Sequence, residues 1–305
     1  MHWPAFKSFL ITFSLFLSFS SMADTIYPLS LTDGLGNQVI IEKEPIKISS
    51  KTLFTDAVLL ELVDNNRLSS LTDLADNPNY SAVKDILPKS VPLLALNVEM
   101  IIANRPDIVF AANWSDASKL AIIESAGIPV YRIQTPKTIA EIEAEILRVG
   151  DIVNRRDAAE KVIEMMHSRL RNHLIHPKKA LRALDYNPWG TSSGQDSTWD
   201  EVLEQAGLEN AIEGLVSDKY GQVPVSKEMV IVLNPDVLFI PAWVYGDDNG
   251  AEKFRQTILS DPSLQSVTAI KEGRVYQMPH VLRSVYSQYI VDAILFVNHS
   301  AYKKQ

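Results

Sequence analysis

A stretch of sixteen residues occurs twice in this chain, at positions 129 residues apart. The copies read EMIIANRPDIVFAANW (Glu99–Trp114) and EMVIVLNPDVLFIPAW (Glu228–Trp243), and seven of the sixteen positions are identical. Each copy begins with a helical pattern, passes through a Pro-Asp turn and ends in a short apolar run that is typical of a buried strand. A chain that contains this unit twice is expected to fold into two similar halves.

The sequence around each copy indicates strands that alternate with helices. In the first half, we expect strands near residues 46–50, 68–71, 107–111 and 130–133, and helices near 55–63, 98–104 and 117–126. In the second half, we expect strands near 180–186, 236–240 and 274–278, and helices near 199–205, 227–233 and 252–259. This alternation predicts an α/β fold in which two mainly parallel central sheets are flanked by helices.

A segment without proline or glycine connects the two halves. Residues 155–174 place apolar side chains at helical spacing, and a helix of roughly 20 residues is about 30 Å long. A capping box at Thr138 and Glu141 opens the preceding helix, which Gly150 and Asn154 are expected to end. We therefore predict an N-terminal lobe (24–154), a single long linking helix (155–176) and a C-terminal lobe (177–305).

The first 23 residues have the pattern of a secretory signal peptide. A lysine precedes the apolar run from Phe9 to Phe19, and small residues stand at positions 21 and 23. This run is shorter than the 20 or so residues that span a bilayer. We expect cleavage after Ala23 and a soluble periplasmic protein without membrane insertion. The net charge of −8 argues against a nucleic-acid partner, and the absence of cysteine excludes disulfides and thiolate metal sites.

Aromatic residues are concentrated where the predicted strands end. We place the four tryptophans after the signal segment in loops that follow strands, at the sheet edge where open α/β sheets bind ligands. The competing interpretation is that these tryptophans fill the core. Rigid aromatic faces suit a large, flat and partly apolar ligand. The predicted ligand-binding residues are Phe54, Tyr80, Asn113, Trp114, Tyr186, Trp189, Trp199, Trp243, Tyr245 and Arg283.

Two other kinds of site fit the residues less well. A bare metal ion needs three or four converging ligands, and only His280 among the histidines is placed to reach the cleft, so we expect no metal site and no resident cofactor. The segment GTSSG (Gly190–Gly194) matches the G-x-S-x-G pattern of serine hydrolases, with Ser192 as the nucleophile. The next helix, however, begins only near Thr198. We therefore expect a protein that is not an enzyme, and a secreted hydrolase is an alternative.

An ordered set of motifs resembles the periplasmic substrate-binding proteins of iron-complex and vitamin B12 ABC importers, in which one long helix joins two lobes. These motifs are TDGLGNQVIIEKEPIKI, NRPDIVFAANW, GIPVY, the linking helix, TSSGQDSTWDEVLEQAGLENAI and VYSQYIVDAILFV. The resemblance implies a monomer that binds a small molecule and delivers it to a two-fold ABC permease in the inner membrane. The implied ligand is an iron chelate such as a ferric siderophore or haem, with a corrinoid (cobalamin) as the alternative. Haem would take Tyr186, His280 or Tyr286 as its axial ligand.

The resemblance also implies how the protein docks on the permease. In that family a glutamate on each lobe meets an arginine of a permease subunit, and the matching positions here are Glu99 and Glu228. Asn97 and Ser226 are predicted to cap the two helices, so both glutamates lie in a first turn. An acid in that position also stabilises the helix dipole. The residues alone favour neither role, and the resemblance favours docking.

Overall fold

The structure is a computed structural model that describes residues 25–219, 221–283 and 285–303, and the predicted signal peptide lies outside them. In the first half the elements are, in chain order, β1 (Leu29–Thr32), β2 (Gln38–Ile41), β3 (Ile48–Ser50), α1 (Leu53–Leu62), β4 (Leu68–Ser70), α2 (Val98–Asn104), β5 (Ile108–Ala112), α3 (Ala117–Ser125), β6 (Val130–Ile133) and α4 (Ile139–Ile152). The next element is the linking helix α5 (Arg156–His173).

The second half follows the linking helix. Its elements are β7 (Leu181–Asp185), β8 (Thr191–Ser193), α6 (Thr198–Gln205), β9 (Leu208–Asn210), β10 (Gln222–Pro224), α7 (Lys227–Leu233), β11 (Val237–Pro241), α8 (Gly250–Ser260), α9 (Thr268–Lys271), β12 (Val275–Met278), α10 (His280–Arg283) and α11 (Ile290–Tyr302).

Each half contains a four-stranded parallel sheet with the same topology. The strand order is β4-β3-β5-β6 in the first sheet and β9-β7-β11-β12 in the second. In both, the first strand along the chain is central, the second lies on one side of it, and the third and fourth lie on the other side. The predicted fold class, two lobes with parallel sheets joined by one long helix, is confirmed.

The two copies of the repeated unit begin with equivalent helices. Asn97 caps α2 and Ser226 caps α7, and each side chain accepts a hydrogen bond from a backbone N–H in the first turn. Each helix is seven residues long and ends at a left-handed residue, Arg105 (φ 45°) in one copy and Asn234 (φ 42°) in the other. The Pro-Asp turn follows in both copies.

The repeated aspartate connects the repeated strand to its central neighbour. Asp107 accepts hydrogen bonds from the backbone N–H groups of Ile46 (3.0 Å) and Lys47 (2.9 Å), just before β3. In the second copy, Asp236 accepts one from Arg182 N (3.0 Å) in β7. These bonds satisfy backbone donors where the parallel ladder begins. The two aspartates therefore have the same structural role.

The repeated phenylalanine has the same packing in both lobes. Phe110 in β5 is buried beside its cross-strand partner Tyr131, with ring centroids 6.0 Å apart. Phe239 in β11 is buried beside its partner Tyr276 at 5.9 Å. Both phenylalanines belong to one continuous core cluster that includes residues of α1, α4, α5 and α11. The two sheets thus share a core through the linking helix.

The linking helix packs closely against the helix that precedes it. The sequence predicts that Gly150 and Asn154 mark the end of α4. The helix continues through Gly150 to Ile152, and Asn154 follows its C-cap with a left-handed φ of 54°. A Cβ at Gly150 would lie 2.7 Å from the Cβ of Ala159 in α5, so this position has no room for a side chain. Gly150 is therefore an interior helical residue that allows the two helices to approach each other.

Candidate functional site

A cavity of about 340 Å³ lies where strands β7, β11 and β12 end. We call it the C-lobe cavity, and it is lined by Tyr80, Asn187, Trp189, Ser193, Gln222, Trp243, Tyr245, His280 and Arg283. All of these residues belong to the second half except Tyr80, which lies in the first half between β4 and α2. The cavity therefore lies between the lobes.

Aromatic rings dominate this cavity. Trp243 is central, with ring centroids 5.7 Å from Tyr80, 5.9 Å from Tyr245 and 5.1 Å from His280. Tyr80 also contacts His280 edge-on at 5.1 Å. Burial, together with the nearby charge of Arg283, lowers the pKa of His280. The imidazole is thus neutral at pH 7, and the cavity presents electron-rich, uncharged faces to a ligand.

The arginine of the C-lobe cavity is paired within the protein. Nη2 of Arg283 lies 2.6 Å from Oδ2 of Asp185, the buried last residue of β7. Ser193 Oγ donates to the same carboxylate oxygen at 3.4 Å. The charge of Arg283 is therefore compensated inside the protein, although the sequence predicts that it would meet the ligand.

A second cavity, of about 300 Å³, lies where strands β3, β4 and β5 end. We call it the N-lobe cavity, and it is lined by Lys51, Thr52, Leu53, Thr72, Asp73, Leu74, Leu94, Leu96, Trp114, Ser115, Asp116 and Tyr286. Tyr286 is the lining residue that comes from the second half. Trp114 is 72% exposed and provides an open aromatic face there.

A narrow space of about 30 Å³ lies next to both cavities. Its lining includes Tyr80, which also lines the C-lobe cavity, and Tyr286, which also lines the N-lobe cavity. The ring of Tyr286 stacks on that of Phe54 at 6.3 Å. Phe54, a predicted ligand-binding residue, is buried in α1, belongs to the core cluster and lines this narrow space rather than either cavity.

Trp199 is a core residue. It lies in the first turn of α6 rather than in a loop, and it is 3% exposed. Its ring packs edge-on against Phe239 at 5.5 Å. Trp199, Val202 and Leu203 form the buried face of α6 at the spacing of an amphipathic helix, so the sequence carried a signal for the core. The expectation that all four tryptophans line the cleft is therefore wrong.

Two further predicted site residues have partners of their own. Tyr186 is half-buried against Phe254, with ring centroids 5.6 Å apart. Asn113 precedes Trp114 and bonds to the residues that follow β6, accepting from Thr135 Oγ1 (3.0 Å) and donating to Gln134 Oε1 (3.3 Å). Neither side chain lines the two cavities defined above. Gln222 and Ser193 line the C-lobe cavity without being predicted from the sequence, and His280, which is predicted to reach the cleft, lines it as well.

The hydrolase alternative is contradicted by the position of Ser192. Ser192 is the middle residue of β8 and is 0% exposed, whereas Ser193 faces the C-lobe cavity. Its Oγ has no hydrogen-bond partner among the described residues, so no base is in contact with it. A nucleophile must be exposed at a sharp turn between strand and helix. Ser192 has neither the exposure nor the turn.

The two repeated glutamates are exposed at the ends of equivalent helices. Glu99 and Glu228 each lie in the first turn of their helix, two residues after the capping residue. A hydrogen bond with its own backbone, and another with Ser226, lowers the pKa of Glu228. Because a crossover helix runs opposite to its strands, both helices begin at the sheet edge that carries the cavities.

Two other kinds of feature are absent from the described ranges. In residues 25–303, apart from the two single positions left out, no helix has the length and apolar character needed to cross a bilayer. No group of three or more histidine or carboxylate side chains is placed to hold a metal ion in that same part of the chain.

Comparison with known proteins gives consistent matches. The ABC transporter substrate-binding lipoprotein YvrC of Bacillus subtilis, described as uncharacterized, is 22% identical and is aligned over 83% of this chain and 79% of its own. The molybdate-binding protein MolA of Haemophilus influenzae is 23% identical and is aligned over 88% of this chain and 81% of its own.

Solved structures show the same fold. A periplasmic binding protein from Veillonella parvula superimposes with a TM-score of 0.73 at 18% identity, over 91% of this chain and 98% of its own. A possible iron-binding periplasmic protein from Staphylococcus epidermidis gives a TM-score of 0.70 at 18% identity, over 85% of this chain and 100% of its own. Residues 52–282, well over half of the chain, match the model of the family described as periplasmic binding protein, and this protein therefore belongs to that family.

Proposed function

We propose that this protein is exported to the periplasm, captures an iron chelate between its lobes and delivers it to the permease of an ABC importer. The family membership carries the general role, which is the binding of a small ligand for a membrane transporter. The proposed cargo rests mainly on the aromatic C-lobe cavity, in which Trp243, Tyr245 and His280 face Tyr80 of the other lobe.

Several features favour a chelate over a bare ion. His280 is the histidine that lines the C-lobe cavity, and a metal ion without its own ligands needs three or four protein donors. An organic chelate brings those donors itself, so the protein supplies stacking surface and a small number of charges. A naked oxyanion would need several free donors, whereas the arginine here is already paired with Asp185.

The cavity sizes favour a ligand that contacts both lobes. Volumes of about 300 and 340 Å³ lie at the lower end of the range for small-molecule sites. The narrow space shares Tyr80 with the C-lobe cavity and Tyr286 with the N-lobe cavity. A chelate larger than either cavity would therefore occupy both and displace one of these tyrosines. The single linking helix is consistent with a modest closure of this kind.

The docking proposal rests on the symmetry of the repeat. Glu99 and Glu228 are exposed at equivalent positions, and a two-fold permease can offer one arginine to each. Glutamate and arginine can pair through two parallel hydrogen bonds, which fixes orientation as well as charge. Each lobe then contributes one contact to the permease.

Tryptophan fluorescence tests the cargo. The full chain without its signal segment would be titrated separately with haemin, cobalamin, molybdate and a panel of ferric siderophores. We expect saturable quenching by a ferric chelate at micromolar concentration or below. Saturation by cobalamin or molybdate alone would replace the iron cargo and retain the importer role. Ester hydrolysis that disappears in Ser192→Ala would contradict the binding function altogether.

A further inference from the structure

The cavities contain two cationic side chains that differ in their partners. Arg283 in the C-lobe cavity contacts the carboxylate of Asp185. Lys51 in the N-lobe cavity donates instead to neutral oxygen atoms, at 2.8 Å to Ser70 Oγ, 3.0 Å to Leu94 O and 3.4 Å to Leu71 O. In the described part of the chain, no carboxylate oxygen lies within 4.0 Å of Lys51 Nζ. Lys51 therefore carries a charge without a contacting counter-ion.

The position of Lys51 is set by the sheet. It follows β3 directly, and its Nζ is held among the carboxyl ends of β3 and β4 and the segment at Leu94. The side chain is half-buried and lines the cavity together with Trp114 and Tyr286. An ammonium fixed in this way is a point charge at the inner end of the cavity, and little rotamer entropy remains to be lost when a ligand arrives.

The acids around Lys51 do not neutralise it by contact. Asp56 in α1 is fully buried, and its carboxylate accepts the hydroxyl and backbone N–H of Thr72. Asp116 caps α3 by accepting from two backbone N–H groups, and Asp73 is exposed to water. Burial lowers the pKa of Lys51 to about 8, against the opposing effects of Asp56 and Asp73. A partly buried cation without a contacting counter-ion is stabilised when an anion enters the cavity.

We propose that Lys51 is the anion-recognising residue of the site and that it takes an anionic oxygen of the ligand, a carboxylate or a catecholate, into the N-lobe cavity. The incoming oxygen replaces the long contact from Lys51 to Leu71 O. The aromatic C-lobe cavity takes an uncharged, flat part of the same molecule. This inference rests on the proposed function, and it requires a ligand with two chemically different ends.

The test compares two probes of different charge, an anionic ferric catecholate and an uncharged ferric trihydroxamate. Their dissociation constants would be measured by fluorescence titration for the unaltered protein, Lys51→Met, Lys51→Arg and a control, Lys178→Met, at an exposed lysine beyond the linking helix. The unaltered protein should prefer the catecholate. Lys51→Met should weaken catecholate binding by about tenfold or more and leave the trihydroxamate unchanged, because a charge-assisted hydrogen bond is lost. Lys51→Arg should retain the preference.

Three results would overturn the inference and leave the iron cargo in place. Lys51→Met could weaken the binding of both probes equally, or weaken the binding of neither. The unaltered protein could also prefer the trihydroxamate. Failure of the unaltered protein to bind either probe would overturn the cargo and the inference together.

If Lys51→Met does not fold, the pH dependence of the unaltered protein decides. Lys51 is protonated below its pKa of about 8, so catecholate affinity should fall between pH 7 and 9 while trihydroxamate affinity stays level. The other titratable groups near this lysine are Asp56, Asp73, Asp116 and Tyr286. Burial raises the pKa of Asp56 to about 6 and that of Tyr286 to about 12, so neither value falls between pH 7 and 9. A catecholate affinity that is level across this range would contradict the role of Lys51.

Discussion

The two copies of the repeated unit have the same internal structure and different surroundings at their last residue. In both, a capped seven-residue helix leads to an aspartate that binds the neighbouring strand and to a buried phenylalanine. Their terminal tryptophans differ, because Trp114 is 72% exposed whereas Trp243 is half-buried among three other rings. Backbone hydrogen bonding and core packing fix the unit as far as the end of its strand. Beyond that point the sequence is free to diverge.

This divergence gives the two sides of the cleft different chemistry. The C-lobe cavity has uncharged aromatic faces and an arginine that is compensated by Asp185. The N-lobe cavity has an open tryptophan and a lysine that contacts only neutral acceptors. A duplicated fold thus supports a site in which each lobe binds a different part of the ligand.

The largest effects should come from the shared core. Phe110→Ala and Phe239→Ala should each lower the free energy of unfolding by about 3–5 kcal/mol, because both remove a buried ring from one continuous cluster. Urea denaturation followed by circular dichroism measures this loss, with the exposed residue Val232 changed to alanine as a control. A large loss in one variant and none in the other would show that the two copies do not pack equivalently.

The repeated aspartates should have smaller and unequal effects. Asp107 accepts two backbone hydrogen bonds from the segment before β3, and Asp236 accepts one from β7. Each alanine substitution should cost about 1–3 kcal/mol, with the greater loss at Asp107. Thermal unfolding would be compared with that of Asp76→Ala, at an exposed acid. If neither variant differs from this control, water replaces the carboxylate at both sites.

The local sequence was sufficient to predict the helices and strands of the repeated unit, but it was not sufficient to predict the contacts of the ligand site. The caps at Asn97 and Ser226 depend on neighbours three residues away, and both are confirmed. The pairing of Arg283 with Asp185 joins positions 98 residues apart, which no local pattern reveals. Trp199 follows a predicted strand in the sequence, but its helical spacing with Val202 and Leu203 places it on the buried face of α6.

The smallest effect on stability should come from the two exposed glutamates. Glu99→Gln and Glu228→Gln should each leave the free energy of unfolding nearly unchanged, because an exposed acid in the first turn interacts only modestly with the helix dipole. Ligand affinity should be unchanged, whereas uptake by cells should fall in each variant and further in the double variant. Glu213→Gln serves as an exposed control. Normal uptake in the double variant would leave only the helix-dipole role.

We expect one ligand to contact both copies of the repeat. Isothermal titration with the ferric chelate that binds most tightly would compare the unaltered protein with Trp114→Ala and Trp243→Ala. We predict that each substitution weakens binding by about two- to tenfold, since aromatic contacts contribute about 0.5–1.5 kcal/mol beyond burial. The greater loss should occur at Trp243, which has three aromatic neighbours in the C-lobe cavity. Unchanged affinity in both variants would contradict a ligand site between the two lobes.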